Sequence, residues 1–529
     1  MDPDIIKEIT RIFSKSHQIM GPQSWKNLMA LCGDTSDAEG FVEKISEIQK
    51  EYPLPDFLPE LAVVEWALQR VQTSRIRIPG KVAAYKLNPT LELIQCRWQL
   101  SSLFESAGGG AVPEAGFEFI MIWRHPLRKD IHLRSATEED LLAVKMIAEG
   151  ISVESVAGQG DLTVGQVEEL LKKTARKGLL LAPPSRIKRD PKRFTHSKKV
   201  PRQFFSVPIF TIQWHITHAC DLHCKHCYDR SKRSPLSLNH GLTILKDFHD
   251  FCKDRWVSGH VCFTGGNPFL YPHFYELYQS AVDRGFSTSI LGNPVHRSKL
   301  EKLLDIQYPR YFQVSLEGLP KHNDYIRGKG NFASVIEFLG VLRDLSVPSA
   351  VMLTLTNDNM DQILPLAERL RGHTDRFTFN RLSMVGEGAE LSLPEKGPYE
   401  SFLREYIQQT GENAHLNIKD NLINIIRLEE DQPVFGGCTG YGCGAAFSFL
   451  TILPDGEVHA CRKFPSPIGN VLQQDLADIY DSVLAEKYRN GSTACDPCLL
   501  KPVCGGCLAV AHSYGLDVFR DKDPHCFYC

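Results

Sequence analysis

Three cysteines stand close together in the middle of the chain, spaced Cys-x3-Cys-x2-Cys at Cys220, Cys224 and Cys227. Thiolates at this spacing on one loop can bind three irons of a [4Fe-4S] cluster and leave the fourth iron without a protein ligand. Such an open iron can bind a substrate. The alternative is a zinc knuckle completed by one of three nearby histidines, which are His218, His223 and His226.

A second group of cysteines lies between residues 438 and 526. Its members are Cys438, Cys443, Cys461, Cys495, Cys498, Cys504, Cys507 and Cys526. Four-sulfur zinc ribbons are the main alternative to iron–sulfur clusters here, because Cys-x2-Cys pairs bind zinc well. Four other cysteines lie within apolar patterns and are predicted to be core residues, namely Cys32, Cys96, Cys252 and Cys262.

The composition narrows the class of protein. The 529 residues are 43% apolar and 23% charged with a net charge of -3, which predicts about three domains and gives no sign of a nucleic-acid or membrane partner. No stretch approaches the roughly 20 apolar residues of a membrane span, and the acidic start does not fit a signal peptide. We therefore predict a cytoplasmic protein whose clustered cysteines bind metals.

The first cysteine group directly follows a predicted strand. From residue 209 to about 393, short strands alternate with helical patterns such as 242–252 and 274–283, which indicates βα units around a parallel sheet. Six such units predict an α/β fold with a partial (β/α)6 barrel. The predicted strands are 210–214, 260–263, 288–291, 311–315, 350–355 and 376–380.

The regions on either side are predicted separately. Residues 1–110 form a helical N-terminal region that ends at the glycine-rich joint 106–111. Residues 112–185 follow a winged-helix order, with strands at 117–123 and 131–133 and helices after Thr137 and Thr163, which is typical of a nucleic-acid-binding or dimerisation module. Residues 186–206 are a basic, solvated linker, 207–395 the α/β core, and 396–529 a cysteine-rich domain that needs metals to pack.

The spacing at residues 220–227, placed after the first barrel strand, resembles the signature of the radical S-adenosylmethionine (SAM) enzymes. The resemblance implies a [4Fe-4S] cluster that binds SAM at its open iron. It also implies that His226 packs against adenine, and that Gly265, Gly266 and Asn267 receive the methionine amino group, with asparagine where the family has glutamate. Two further contacts to the SAM ribose or carboxylate are implied by a Ser-x-Glu segment and an Arg-Gly-x-Gly-x-Phe stretch, at Ser315, Glu317 and Arg327.

The C-terminal cysteines resemble a SPASM domain, which holds two auxiliary [4Fe-4S] clusters. The last interval, between Cys504 and Cys507, is one residue shorter than the family pattern. Cys529 is an alternative to Cys526 as the last ligand, or a free thiol. The resemblance assigns Cys438, Cys443, Cys461 and Cys507 to the first auxiliary cluster, and Cys495, Cys498, Cys504 and Cys526 to the second.

These resemblances imply a function. Many SPASM radical SAM enzymes modify ribosomally made peptides and carry a PqqD-like element, whose strand edge binds a leader peptide. The expected reaction is reductive cleavage of SAM to a 5′-deoxyadenosyl radical, with flavodoxin or ferredoxin as reductant and a precursor peptide as partner. The Gly-Gly-Asn-Pro turn and the N-terminal extension suggest a selenobiotic or thio(seleno)oxazole maturase. Maturation of a whole protein, as by sulfatase-activating enzymes, and nucleic-acid modification remain alternatives.

Overall fold

The computed structural model describes residues 2–33, 35–105, 112–195 and 197–528. The chain divides into two compact units, the first made of residues 1–162 and 167–184 and the second of residues 163–166 and 185–529. The glycine-rich joint predicted at 106–111 and the alternative ligand Cys529 lie outside the described residues. None of the described helices is long and apolar enough to cross a membrane.

The first unit begins with helices, as the apolar spacing predicts. Asp2 caps the first of them by accepting a hydrogen bond from the Asp4 amide at 2.8 Å, and Pro3 occupies its first turn. The helices are α1 (Pro3–Ile12), α2 (Ser14–Leu31), α3 (Ala38–Ile48), α4 (Leu58–Thr73), α5 (Ser102–Glu105), α6 (Glu138–Glu149), α7 (Val153–Gln159) and α8 (Val164–Arg176). Residues of α8 from Val167 onward belong to this unit.

The strands of the first unit lie on both sides of the boundary that the sequence placed near residue 110 and pair with one another across it. They are β1 (Lys86–Leu87), β2 (Glu92–Trp98), β3 (Ala115–Arg124), β4 (Ile131–Ser135) and β5 (Leu180–Leu181). The β3–β4 hairpin was predicted, but β2 and β1 were not. Strand β2 pairs antiparallel with β3, and β1 pairs antiparallel with β5. The prediction of an all-helical region up to residue 110 is therefore wrong for residues 86–98, whose strand structure comes from partners distant in sequence.

The second unit is built on one nine-stranded sheet. Its order is β11-β10-β9-β8-β7-β6-β12-β13-β14, and the strands β6 to β11 are parallel neighbours in chain order. These six strands confirm the predicted (β/α)6 core to within three residues at each end. The strands are β6 (Ile209–Thr217), β7 (Ser258–Gly265), β8 (Ser287–Leu291), β9 (Phe312–Ser315), β10 (Ser349–Leu355), β11 (Arg376–Arg381), β12 (Phe449–Ile452), β13 (Glu457–His459) and β14 (Pro467–Asn470).

Helices follow the strands of the core and continue into the cysteine-rich region. They are α9 (Leu238–Arg255), α10 (Phe274–Asp283), α11 (Arg297–Leu304), α12 (Pro320–Arg327), α13 (Asn331–Asp344), α14 (Ile363–Arg369), α15 (Lys396–Thr410), α16 (Ile423–Glu429), α17 (Leu476–Asp481), α18 (Val483–Asn490) and α19 (Leu508–Ser513). Strand β12 lies parallel to β6, with Phe449 opposite Thr211. The cysteine-rich region therefore extends the core sheet, which the sequence did not predict.

The basic segment 186–206 is not a solvated linker, which corrects the sequence analysis. The buried Arg189 donates hydrogen bonds to the carbonyl oxygens of Arg489, Tyr441 and Cys443 at 2.6 to 2.8 Å. Apolar residues between these charges are buried in the main core, among them Ile187 and Phe194. Three other basic residues form ion pairs, Arg186 with Asp254, Arg193 with Asp496, and Lys199 with Asp431. Lys188, Lys192, Lys198 and Arg202 are exposed. The segment is therefore a packed part of the second unit.

Candidate active site and cluster cavities

A cavity of about 480 Å³ opens at the carboxyl ends of β6 to β11. The loop after β6 places the three predicted thiols on its wall, namely Cys220, Cys224 and Cys227. Two hydrogen bonds to the backbone of this loop hold it in place. The Lys225 amide donates to the Ile326 carbonyl at 3.0 Å, and the Arg230 guanidinium donates to the Cys224 carbonyl at 2.7 Å. The thiols thus lie where parallel sheets bind their ligands.

Two glycines at the end of β7 allow the cysteine loop to approach closely. A Cβ on Gly265 would overlap the Thr217 carbonyl oxygen, and one on Gly266 would overlap the Ala219 carbonyl oxygen. Gly265 also has a φ of 127°, which side chains disfavour. The amide of Gly266 donates to the Thr217 carbonyl at 2.8 Å. Both glycines line the cavity, so their lack of a side chain also leaves space for a ligand inside it.

The buried Asn267 side chain contacts the cysteine loop. Its Oδ1 accepts a hydrogen bond from the Phe269 amide at 3.3 Å, and its Nδ2 lies 3.4 Å from a carboxylate oxygen of Asp221. The Asn293 amide group also donates to Asp221. An amide oxygen accepts two hydrogen bonds, so the contact with the Phe269 amide is compatible with the methionine amino group that the resemblance places at Asn267. Asn267 and Asn293 together hold the one acidic residue of the cysteine loop.

Glu317 joins two of the predicted site residues in a buried network. Arg327 donates to its carboxylate at 2.6 and 2.9 Å, His226 Nε2 lies 3.2 Å away, and the Thr354 amide donates at 2.7 Å. Burial alone would raise the pKa of Glu317, but the charges of His226 and Arg327 outweigh it and hold this pKa at about 2. Arg327 Nη1 also lies 3.8 Å from Cys224 Sγ. The network fixes Arg327 and His226 beside the cysteine loop.

The C-terminal cysteines separate into two cavities. One cavity of about 60 Å³ is lined by Cys438, Cys443, Cys461 and Cys507. The other, of about 200 Å³, is lined by Cys495, Cys498, Cys504 and Cys526. These are the two ligand sets that the resemblance assigned, although Cys507 is only three residues from Cys504 in sequence. The glycines at 505 and 506 have φ values of 64° and 66°, and this left-handed turn sends the two cysteines to different cavities.

A buried arginine, paired with two aspartates, lies between these cavities. Arg381, at the end of β11, donates to Asp523 at 2.7 and 2.8 Å and to Asp420 at 2.8 Å. Asp523 also accepts a hydrogen bond from the Cys507 amide at 2.8 Å. Arg381 lines the cavity at the barrel strands and the first C-terminal cavity, while Asp523 lines the second. One ion pair therefore links all three groups of cysteines.

Known protein families match both parts of this arrangement. Residues 214–370 match the radical SAM superfamily, and residues 443–507 match the SPASM iron–sulfur cluster-binding domain. The mycofactocin maturase MftC of Mycobacterium tuberculosis strain H37Rv is 30% identical over 335 residues, which cover 60% of this chain and 82% of that protein. The chain belongs to the radical SAM superfamily.

Two other relatives show how wide the similarity is. The antilisterial bacteriocin subtilosin biosynthesis protein AlbA of Bacillus subtilis strain 168 is 27% identical, over 57% of this chain and 68% of that protein. An AdoMet-dependent heme synthase of Nitratidesulfovibrio vulgaris is 26% identical, over 60% of this chain and 92% of that protein. The superfamily is thus shared by proteins whose names point to different substrates.

Each set of four C-terminal cysteines lines one cavity, and the match to the SPASM domain assigns these two sets to iron–sulfur clusters. Burial raises the pKa of Cys443 to about 12 and that of Cys461 to about 11, and the nearby thiols add to both shifts. A cationic metal centre among these sulfurs would relieve this cost by binding the thiolates.

Five of the seven predicted cofactor-binding residues of this radical SAM protein line the cavity, namely His226, Gly265, Gly266, Ser315 and Arg327. Asn267 and Glu317 do not line the cavity but contact residues beside it, Asn267 contacting Asp221 and Glu317 contacting Arg327. Sequence reasoning missed Asp221, Asn293 and Arg381. Asp221 follows Cys220 directly and could have been noticed from that position, whereas Asn293 and Arg381 are recognisable only once the strands are assembled.

The Asn267 contacts lead to a first prediction. Changing Asn267→Glu should weaken SAM binding by about tenfold, because it removes the amide group that faces Asp221 and sets a second carboxylate against that residue of the cysteine loop. Equilibrium dialysis of SAM against the anaerobically reconstituted protein measures this affinity. The matched control is the double variant Asn267→Glu with Asp221→Asn, which exchanges the two groups and should recover most of the affinity. Tighter SAM binding by the single variant would contradict the assignment.

Proposed function

We propose that this chain is a radical SAM maturase that modifies a ribosomally made precursor peptide. The observation that carries the proposal is its 30% identity to a mycofactocin maturase over 82% of that protein's length. The similarity to a bacteriocin biosynthesis protein supports the same substrate class. The finer assignment to selenobiotic or thio(seleno)oxazole maturases remains a prediction from the sequence.

In this proposal the chain's own residues bind and orient the reactants. The [4Fe-4S] cluster and SAM supply a 5′-deoxyadenosyl radical that abstracts a substrate hydrogen. Arg327, fixed by Glu317, is available for the methionine carboxylate, while the strand ends of the core shield the site from water. Flavodoxin or ferredoxin is proposed as the reductant.

We further propose that the first unit recognises the peptide by strand addition, as a PqqD-like element would. If the element were PqqD-like, the strand predicted at 117–123 and the helix bearing Leu170 and Leu171 would frame the groove for the leader. Strand β3, which contains 117–123, is paired on both sides, by β2 and β4, so it has no open edge. Leu170 and Leu171 are buried against α6. Edge strand β4 is the better candidate, since its only pairing among the described residues is with β3. The other edge, β2, is its competitor.

The test is mass spectrometry of a candidate precursor peptide co-expressed with the full chain, using a gene that lies beside the gene of this protein. A mass change that requires Cys220, Cys224 and Cys227 is expected.

A binding titration of the full-length protein with the labelled leader, at two salt concentrations, should show affinity that changes little with salt. A leader with prolines in its central segment is the control, because proline removes the amide donors that strand addition needs.

The nucleic-acid alternative makes a different prediction in the same titration. Binding to phosphates releases counterions, so affinity for single-stranded or duplex nucleic acid should fall steeply with salt. Arg186, Arg193 and Lys199 of the basic segment are paired with carboxylates, whereas its other basic residues are exposed, so the titration decides between the two functions. Salt-sensitive nucleic-acid binding without leader binding would overturn the maturase proposal.

A further inference from the structure

Arg462 faces the cavity at the barrel strands without a carboxylate partner. It directly follows Cys461, and the β12–β13 hairpin that extends the core sheet brings it to this position. Within the described part of the chain, no carbonyl or side chain accepts a hydrogen bond from its guanidinium. The groups that interact with it electrostatically include the phenols and thiols of Tyr228, Tyr311, Cys262 and Cys461, and also the basic side chains of His215 and Lys419.

The other cations on the cavity wall differ from Arg462. Arg327 is paired with Glu317, and Arg381 with Asp420 and Asp523. Arg230 donates to the Cys224 carbonyl and Lys463 to the Arg381 carbonyl. Among the described residues that line this cavity, one carboxylate is present, that of Asp229, which is paired with His218 and accepts a hydrogen bond from Ser231. Arg462 therefore has its hydrogen-bonding capacity available to a ligand.

A half-buried guanidinium in this position favours an anion. Arginine keeps its proton at every physiological pH, so its charge is always present at the cavity wall. A charge that loses part of its contact with water is stabilised when an opposite charge pairs with it. The planar guanidinium binds a carboxylate through two parallel hydrogen bonds, which also fixes the orientation of that carboxylate.

We propose that Arg462 binds a carboxylate of the substrate, so that the modified segment of the peptide carries an Asp or Glu side chain or a free C-terminus. This inference rests on the proposed function. SAM has a carboxylate too, but Arg327 lies 3.8 Å from Cys224 of the SAM-binding loop and is the better partner for it. Arg462 interacts with Tyr228, which follows Cys227, and also with Cys262 and Tyr311, which β7 and the chain just before β9 contribute. Fixing the substrate carboxylate there determines which carbon–hydrogen bond faces the radical.

The test compares a dicarboxylate with its neutral analogue, using the SAM-loaded holoprotein. Equilibrium dialysis should show that Arg462→Gln binds labelled glutarate about tenfold more weakly than the unchanged protein, because a charge-assisted hydrogen-bond pair is lost. Glutaramide should bind both proteins equally weakly. SAM affinity should be unchanged. Arg520→Gln, at an exposed arginine, is the matched control and should leave glutarate binding as it was.

Three outcomes overturn the inference. Equal glutarate binding by Arg462→Gln and the unchanged protein shows that Arg462 is not a carboxylate site. A parallel loss of SAM affinity shows that Arg462 binds the SAM carboxylate instead. A shift in the midpoint potential of the auxiliary cluster, with glutarate binding unchanged, shows that Arg462 balances the charge of that cluster.

A second measurement separates this inference from the proposed function. Once a modified peptide is known, each Asp and Glu is replaced by Asn or Gln, and one replacement should abolish modification by the unchanged protein. If no precursor peptide is ever modified, the proposed function fails while the glutarate result still decides the role of Arg462. If the peptide is modified equally well without any carboxylate, the inference fails and the proposed function stands.

Discussion

Replacing Cys220, Cys224 and Cys227 together with alanine is expected to abolish reductive cleavage of SAM. The unchanged protein should bind about twelve irons, in three clusters of four, and the triple variant about eight. The physical reason is that these thiols share the cavity at the barrel strands, while the other eight line two separate cavities. Iron analysis and chromatographic detection of 5′-deoxyadenosine, both under anaerobic conditions, measure the two effects.

A matched control removes three thiols that lie in apolar cores. The variant with Cys32, Cys96 and Cys252 changed to alanine should keep about twelve irons and cleave SAM normally, because these cysteines are fully buried among apolar side chains. Stoichiometric zinc at the C-terminal cysteines, with iron only at the first site, would contradict the assignment of auxiliary clusters.

The second large effect concerns the buried ion pair that links the cluster cavities. Changing Arg381→Met should lower the free energy of unfolding by about 3 to 5 kcal/mol, because it leaves the carboxylates of Asp420 and Asp523 buried without a partner. The loss should also reduce the iron content of the auxiliary sites, since Asp523 accepts the amide hydrogen of Cys507. Urea unfolding of the anaerobically prepared protein, followed by tryptophan fluorescence, measures the first effect.

The chain offers a close control for this variant. Arg404 also pairs with two carboxylates, those of Glu400 and Glu429, but its side chain is 38% exposed whereas that of Arg381 is 1% exposed. Arg404→Met should cost about 1 kcal/mol or less, because exposed ion pairs contribute little. If both variants unfold at the same urea concentration and keep all their iron, Arg381 does not hold the cavities together.

The sequence by itself determined the parts of this protein whose signals are local. The Cys-x3-Cys-x2-Cys spacing after a strand predicted the cluster loop, and alternating strands and helices predicted the six parallel strands from β6 to β11. Such signals work because side-chain periodicity and ligand spacing are properties of short segments. The helix predicted after Thr137 is α6, and it begins with a local signal of the same kind, a capping box formed by Thr137 and Asp140.

Only the tertiary structure decided the features that depend on partners distant in sequence. Strand β2 forms because β3 supplies its hydrogen bonds, and Arg189 is buried because carbonyl groups some 250 to 300 residues away accept hydrogen bonds from its guanidinium. The roles of Asn267, Arg381 and Arg462 follow from what surrounds them once the sheet is assembled. The sequence does not show whether a charged or amide side chain is solvated or buried. Its contribution to stability or binding depends on the groups that the fold places in contact with it.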